Sequence, residues 1–95
     1  MAVQKLNDDR FHLIAKALAD PRRYDLLRRI GKAGDTLSCE SIRTSCCVVT
    51  AATISHHMKE LETAGLVTST REGKFVTYRL CRDVLDAYLA RLAKI

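Results

Sequence analysis

Two groups of side chains in this sequence have the types and spacing to do chemistry. Thr50, Thr53, Ser55, His56, His57 and Lys59 crowd one short segment, and Arg71 and Lys74 follow it closely. Hydroxyls, imidazoles and cations so placed can donate to phosphate oxygens and to acceptors on base edges. The second group is Cys39, Cys46 and Cys47. Three neighbouring thiols can hold a trivalent metalloid such as arsenite, or two of them can oxidise to a disulfide. The other reading of the same cysteines is that they fill the core as small hydrophobes. No nucleophile and base with a supporting acid, no glycine-rich phosphate loop and no metal-water constellation accompanies them, which sets an enzyme aside.

The donors need a rigid element to carry them, and the sequence supplies one. Thr50 is a cap for a helix that runs to Ala64 and stops at Gly65. At 100° per residue, Ile54, Met58 and Leu61 share the face that packs inward. The opposite face then presents Ala52, His56, Lys59 and Thr63, flanked by Thr53 and Ser55, with His57 nearer the buried edge. Short hydroxyl and methyl groups near a helix N-terminus can approach base edges, and the Ala52 methyl suits a thymine methyl. Beyond Gly65 comes a short strand, a basic turn Arg71-Glu72-Gly73-Lys74, and a second strand, Phe75 to Cys81. Val76, Tyr78 and Leu80 alternate with Phe75, Thr77 and Arg79, as a half-buried strand requires, and Cys81 falls on the outer parity as a structural residue. A helix that enters a groove beside a basic hairpin that grips the backbone fits double-stranded DNA. A polar, solvated face with incidental histidines is the bland alternative.

The remaining elements frame this unit. Phe11, Ile14, Ala15 and Leu18 lie on one face of a first helix. Asp20 caps a second, Pro21 to about Lys32, whose first turn suits Pro21. This helix is expected to bury Tyr24, Leu27 and Ile30. Gly34-Asp35-Thr36 reads as a loop, and Ser38 caps a short third helix from Cys39 to Thr44 or Ser45. Ser45 to Val49 reads as the turn between helices three and four, with Val48 or Val49 entering the core. After Cys81, Val84, Leu85, Tyr88, Leu89 and Leu92 form one apolar helical stripe. The predicted fold is mostly α with a small β-hairpin, a winged helix-turn-helix in the order α-α-α-α-β-β-α, as one domain over residues 1–95.

Size and charge agree. Ninety-five residues with 47% hydrophobic content build one thin core, so a second copy that buries more apolar surface is expected. Sixteen Lys and Arg against eleven Asp and Glu give +5, a balance that favours polyanions. No apolar run reaches membrane-span length, and Asp8 and Asp9 interrupt any signal-peptide core, so a cytoplasmic protein with reduced thiols and no membrane partner is expected.

The chain resembles the ArsR family of bacterial winged-helix repressors. The likeness rests on Ala17-Leu18-Ala19-Asp20-Pro21-Arg22-Arg23-Tyr24, on Thr53-Ile54-Ser55-His56-His57-Met58-Lys59-Glu60-Leu61, on Ala64-Gly65-Leu66-Val67, and on the turn and Tyr78-Arg79-Leu80 strand. The resemblance implies a homodimer joined through its first and last helices, here the Leu85, Tyr88, Leu89 and Leu92 stripe, which taken alone fits packing on the monomer's own core equally well. It implies recognition helices in successive major grooves of a palindromic operator, wing tips at Arg71 to Lys74, and release by an inducer. Two departures bear on the inducer. Leu37 stands where the family's third-helix metal site has its first cysteine, leaving Cys39, and Asp83-Val84-Leu85 lacks the histidine of the family's last-helix site. A family-type zinc site is therefore not expected, which leaves the thiol route through Cys39, Cys46 and Cys47, another ligand, or none. A ligand-independent DNA binder and a winged-helix protein-interaction module remain the alternative functions.

Overall fold

The computed structural model describes residues 6–45 and 50–95. Its elements are α1 (Asp8–Leu18), α2 (Pro21–Lys32), β1 (Thr36–Ser38), α3 (Cys39–Ser45), α4 (Ala51–Thr63), β2 (Val67–Glu72), β3 (Phe75–Leu80) and α5 (Arg82–Leu92). Local chemistry sets most of the boundaries. Asn7 opens α1 by accepting from the Arg10 amide at 2.8 Å, Asp20 opens α2 from the Arg22 amide at 2.8 Å, and Ser38 caps α3 from the Ser41 amide at 3.1 Å. The expected caps at Asp20, Ser38 and Thr50 are all present.

The end of α4 is a Schellman turn. The Gly65 amide donates to the Glu62 carbonyl at 2.9 Å and the Leu66 amide to the Leu61 carbonyl at 3.0 Å, with Gly65 at φ +84°. Leu61 and Leu66, both fully buried, make the hydrophobic contact that accompanies this motif. α2 closes in a related way through Gly34, but here the next residue, Asp35, also takes positive φ, at +70°. Arg82 fastens it from the start of α5, donating through Nη2 and Nε to the two carboxylate oxygens at 2.6 and 3.2 Å.

The expected order lacks one strand. Thr36, placed in a loop by its sequence context, begins β1, which pairs antiparallel with β3 in the register Thr36↔Arg79, Leu37↔Tyr78 and Ser38↔Thr77. The sheet therefore has three strands in the order β1-β3-β2, with β3 in the middle. A three-residue strand carries no alternation to read, and it forms because β3 offers a free edge. The basic turn is also tighter than expected. β2 continues through Arg71 to Glu72, which faces Phe75, leaving Gly73 and Lys74 as a two-residue turn. Gly73 alone has positive φ, +61°, as a type II′ hairpin requires.

The core lies between α1, α2, α4 and the inner face of the sheet. Ile14, Ile30, Ile42, Ile54, Met58, Leu61 and Leu66 are fully buried. Tyr24 is a correction: it is 55% exposed, and Leu26 takes the inward place beside Leu27 and Ile30. The inward face of α2 is turned so that the ring at Tyr24 falls on its edge. In α5, Tyr88 and Ala87 are buried while Leu89 and Leu92 are 52% and 37% exposed. Long side chains tie this helix to α1: the Tyr88 and Phe11 rings lie 5.1 Å apart, and the Arg91 guanidinium sits 4.2 Å above Phe11 and donates to Asp8 at 2.5 Å. Cys81 is half-buried at the N-cap of α5, outside the strand whose outer parity it was expected to extend, and burial pushes its thiol pKa up.

Candidate nucleic-acid interface

α4 is oriented by its apolar face. Ile54, Met58 and Leu61 are fully buried, as their spacing requires, and truncating one to alanine would cost about 2–5 kcal/mol. Ala52, Ser55, His56, Lys59 and Thr63 are consequently exposed, with Thr53 at the margin. Not all of them are free donors. The Thr50 hydroxyl accepts from the Thr53 amide at 3.2 Å and lies 3.0 Å from the Thr53 hydroxyl, so both are engaged in the cap. Thr63 donates back to the Lys59 carbonyl at 2.9 Å. Ser55 lies near the Tyr78 hydroxyl of β3, whose pKa burial pushes up and Ser55 pulls partly back. His56 and Lys59 remain the exposed polar side chains on this face with no hydrogen-bond or ion-pair partner among the described residues, although the His56 ring lies 5.6 Å from that of His57.

His57 does not belong to that surface. It is 6% exposed, and its Nδ1 is buried without a partner among the described residues. Burial pushes its pKa below the ordinary 6.5; the Asp20 carboxylate opposes that shift, while Arg23, His56 and Arg22 reinforce it. Its place one position before Met58 turns it toward the junction of α1 and α2, so it acts as core.

The wing supplies the second basic region. Arg71 and Lys74 are both exposed, Arg71 near the end of β2 and Lys74 in the turn. Lys74 shares a shallow cleft with Arg43 of α3 and with Phe75, a residue 61% exposed. Arg43 and Tyr78 were missed from sequence. Tyr78 could have been found: strand parity buried it, and a buried phenol calls for a partner. Cys39 is free and half-buried at the start of α3, near the Tyr78 hydroxyl and lining the same cleft as Arg43 and Lys74. Cys46, Cys47, Val48 and Val49, with the turn expected there, lie outside the described residues.

At the far end of α4, Arg10 of α1 reaches over Gly65 and donates through Nη1 to the Ala64 carbonyl at 3.3 Å. A Cβ at position 65 would lie 1.9 Å from that nitrogen. α4 is thus held at its N-terminus by Thr50, along its length by the core, and at its C-terminus by α1.

A short helix, a second helix with an exposed donor face, and a basic hairpin define a winged helix-turn-helix domain. A family model described as a helix-turn-helix domain matches residues 18–70, more than half the chain. Two relatives narrow the class. The chain is 32% identical over 80 residues to an arsenic resistance transcriptional regulator of Pseudomonas putida, covering 81% of this chain and 61% of that protein. It is 35% identical over 73 residues to the arsenical resistance operon repressor of Staphylococcus xylosus, covering 77% of this chain and 67% of that one. Among solved structures, it is similar to the homodimeric winged helix-turn-helix DNA-binding domain of a possible ArsR-family regulator from Mycobacterium bovis. That match has 29% identity and a TM-score of 0.72, and covers 99% of this chain and 90% of the other. The chain belongs to the ArsR family of winged-helix transcriptional regulators. Its relatives are regulators, not enzymes.

Proposed function

We propose that this protein is a homodimeric repressor that binds a palindromic double-stranded DNA operator and leaves it when an inducer binds. The observation that carries this reading is the placement of α4, whose buried Ile54, Met58 and Leu61 turn Ala52, His56 and Lys59 outward beside a basic wing. In this reading the first turn of α4, with Thr50, Thr53 and Ser55, stands close to base edges. His56 donates to a base or phosphate acceptor, and Lys59, Arg71 and Lys74 contact phosphate. Ser55 also lies near the Tyr78 hydroxyl of β3. Dimerisation through α1 and α5 is supported by the M. bovis homodimer and by the exposed apolar side chains Leu13, Leu89 and Leu92. Leu85 and Tyr88, nearer the core, back that surface from within.

The test starts with selection of binding sequences from a random duplex pool, followed by anisotropy titration on the selected duplex and a scrambled one. The wild-type chain should prefer the selected duplex by several kcal/mol. His56→Ala with Lys59→Ala and Arg71→Ala should abolish that preference and flatten the salt dependence by about one unit per lost phosphate contact. Affinity unchanged in the triple variant would refute the assignment and favour a protein-interaction module.

Two observations favour a thiol route to release: the arsenic-resistance names of both relatives, and the free, half-buried Cys39 at the start of α3. In that reading Cys39, Cys46 and Cys47 hold a trivalent metalloid and draw the start of α4 out of register with the groove. Serine at all three positions should preserve operator binding and remove the response to arsenite. A normal response would refute it.

A further inference from the structure

The fold leaves one large apolar side chain on the wing with nothing to cover it. Among the described residues, the other exposed large apolar side chains, Leu13, Tyr24, Leu89, Leu92 and Ile95, lie on α1, on α2, or on α5 and its end. Phe75 stands apart from them at the start of β3, 61% exposed. Strand parity explains why the core does not use it. Val76, Tyr78 and Leu80 take the inward positions, whereas Phe75 shares the outer face with Thr77 and Arg79. The register sets it opposite Glu72, with Thr70 and Thr77 as the next pair on that face, so no apolar neighbour on the sheet shields the ring. The turn at Gly73 and Lys74 closes through its backbone and makes no demand on this side chain. The surroundings are cationic. Phe75 lines a cleft of about 200 Å³ with Arg43 of α3 and Lys74, and Arg71 precedes the turn on β2. Glu40 also lines the cleft and Glu72 faces Phe75, but Arg43, Arg71 and Lys74 have no ion-pair partner among the described residues. The cleft is smaller than the ~300–1,000 Å³ of small-molecule sites. None of its residues lies on α1 or α5, the helices assigned to the second copy. An exposed ring among unpaired cations at a narrow hairpin tip is complementary to a polyanion with apolar surface stacked inside it, a base-paired duplex.

We propose that Phe75 is a wedge that enters between two base pairs of the operator from the minor groove, with Arg43 and Lys74 on the flanking phosphates. β2 packs on α4, so a duplex with α4 in its major groove presents its adjacent minor groove to the hairpin tip. Apolar side chains inserted in this way unstack a base step and kink the duplex. Pyrimidine–purine steps unstack most easily, so the position under the wing is read by its deformability, without a hydrogen bond to a base edge. Phe75 thereby adds a determinant of sequence preference outside the exposed face of α4. This inference deepens the DNA-binding reading and rests on it.

The test uses the full chain and the selected duplex, with 2-aminopurine, whose fluorescence rises on unstacking, in place of adenine at successive positions along each flank. With wild-type protein at saturation, fluorescence should rise at one step per half-site and stay flat elsewhere. The selected pool should be enriched in a pyrimidine–purine step at that position. Phe75→Ala should abolish the rise, and Phe75→Leu, which keeps an apolar wedge, should retain part of it. Exchanging the step for a purine–pyrimidine one should weaken wild-type binding by about fivefold or more, the scale of one mismatched position, and leave F75A indifferent. Arg43→Gln should lower the salt slope by about one and keep the preference between the two steps. No rise at any flank position of a bound duplex, an equal rise with F75A, or a step preference that persists in F75A overturns the wedge. Each of these leaves the DNA-binding reading standing and points the ring to a protein partner instead. A salt slope unchanged in R43Q overturns the assignment of the cleft to phosphate. A clearly lower melting temperature in F75A also overturns the wedge, because the ring then serves the fold. A wild-type chain that prefers no duplex sinks the DNA-binding reading itself, and the wedge with it.

Discussion

Gly65→Ala isolates the hold that α1 has on the end of the reading helix. Position 65 is at φ +84°, where a Cβ costs about 1–2 kcal/mol. The new methyl would also lie 1.9 Å from Arg10 Nη1. Since that atom is the tip of a flexible side chain, it moves aside, and the cost is its bond to the Ala64 carbonyl, about 0.5–1.5 kcal/mol. The sum is about 1.5–3.5 kcal/mol, and at ~4–8 °C per kcal/mol for a domain of this size the melting temperature should fall by roughly 6–28 °C. The assay is urea unfolding followed by circular dichroism at one fixed protein concentration, because pairing would add to apparent stability. A double-mutant cycle with Arg10→Ala divides the total. In the R10A background, G65A should cost only the backbone strain, about 1–2 kcal/mol. A cost below about 0.5 kcal/mol in the wild-type background would refute the αL argument. An identical cost in both backgrounds would refute the Arg10 latch.

Three further perturbations have definite outcomes. His57 is held neutral by burial with its pKa below 6.5. As pH falls through 6.5 the unfolded chain takes up a proton that the folded chain refuses, so stability drops between that pH and the folded pKa and then levels off. His57→Leu should remove this slope, while the acid loss from Asp8, Asp20, Asp25 and Asp35, all shifted below 3.8, stays at lower pH; a slope unchanged in the variant contradicts the assignment. At position 35, Asp35→Gly relieves the +70° φ while it loses the Arg82 pair, so its stability should stay within about 1 kcal/mol of wild type. Asp35→Ala keeps the strain, loses the pair and should be the less stable of the two by urea unfolding. Leu92→Glu should shift sedimentation from dimer to monomer with the helical signal intact; an undisturbed dimer would move the pairing surface elsewhere.

The reading helix was legible because its determinants are local: Thr50 and Gly65 bound it, and the spacing of Ile54, Met58 and Leu61 fixes its rotation. The same periodicity placed His57 at the buried edge, although the residue type suggested a DNA contact; burial overrode donor chemistry. What sequence did not reveal depends on distant partners. β1 exists because β3 has a free edge, Tyr24 is exposed because α2 turns Leu26 inward, and Ala87 is buried because α5 docks through the larger side chains around it. Arg10 carried no local sign at all, since its role is defined by a glycine more than fifty positions away.

The middle position of β3 has a consequence for how the molecule is made. β1 precedes α3 and α4, β2 follows them, and neither strand pairs with the other; both wait for Phe75–Leu80. During synthesis the helix-turn-helix emerges first, but its sheet has no partner strand until β3 leaves the ribosome, and joining Thr36 to Arg79 closes a long loop before any reward is gained. Residues 18–70, the part that matches the helix-turn-helix family model, end before β3 begins and so omit the strand that both β1 and β2 pair with. A chain released before Phe75 would display the helices of a DNA reader and an unpaired strand edge, a species more prone to association than to binding.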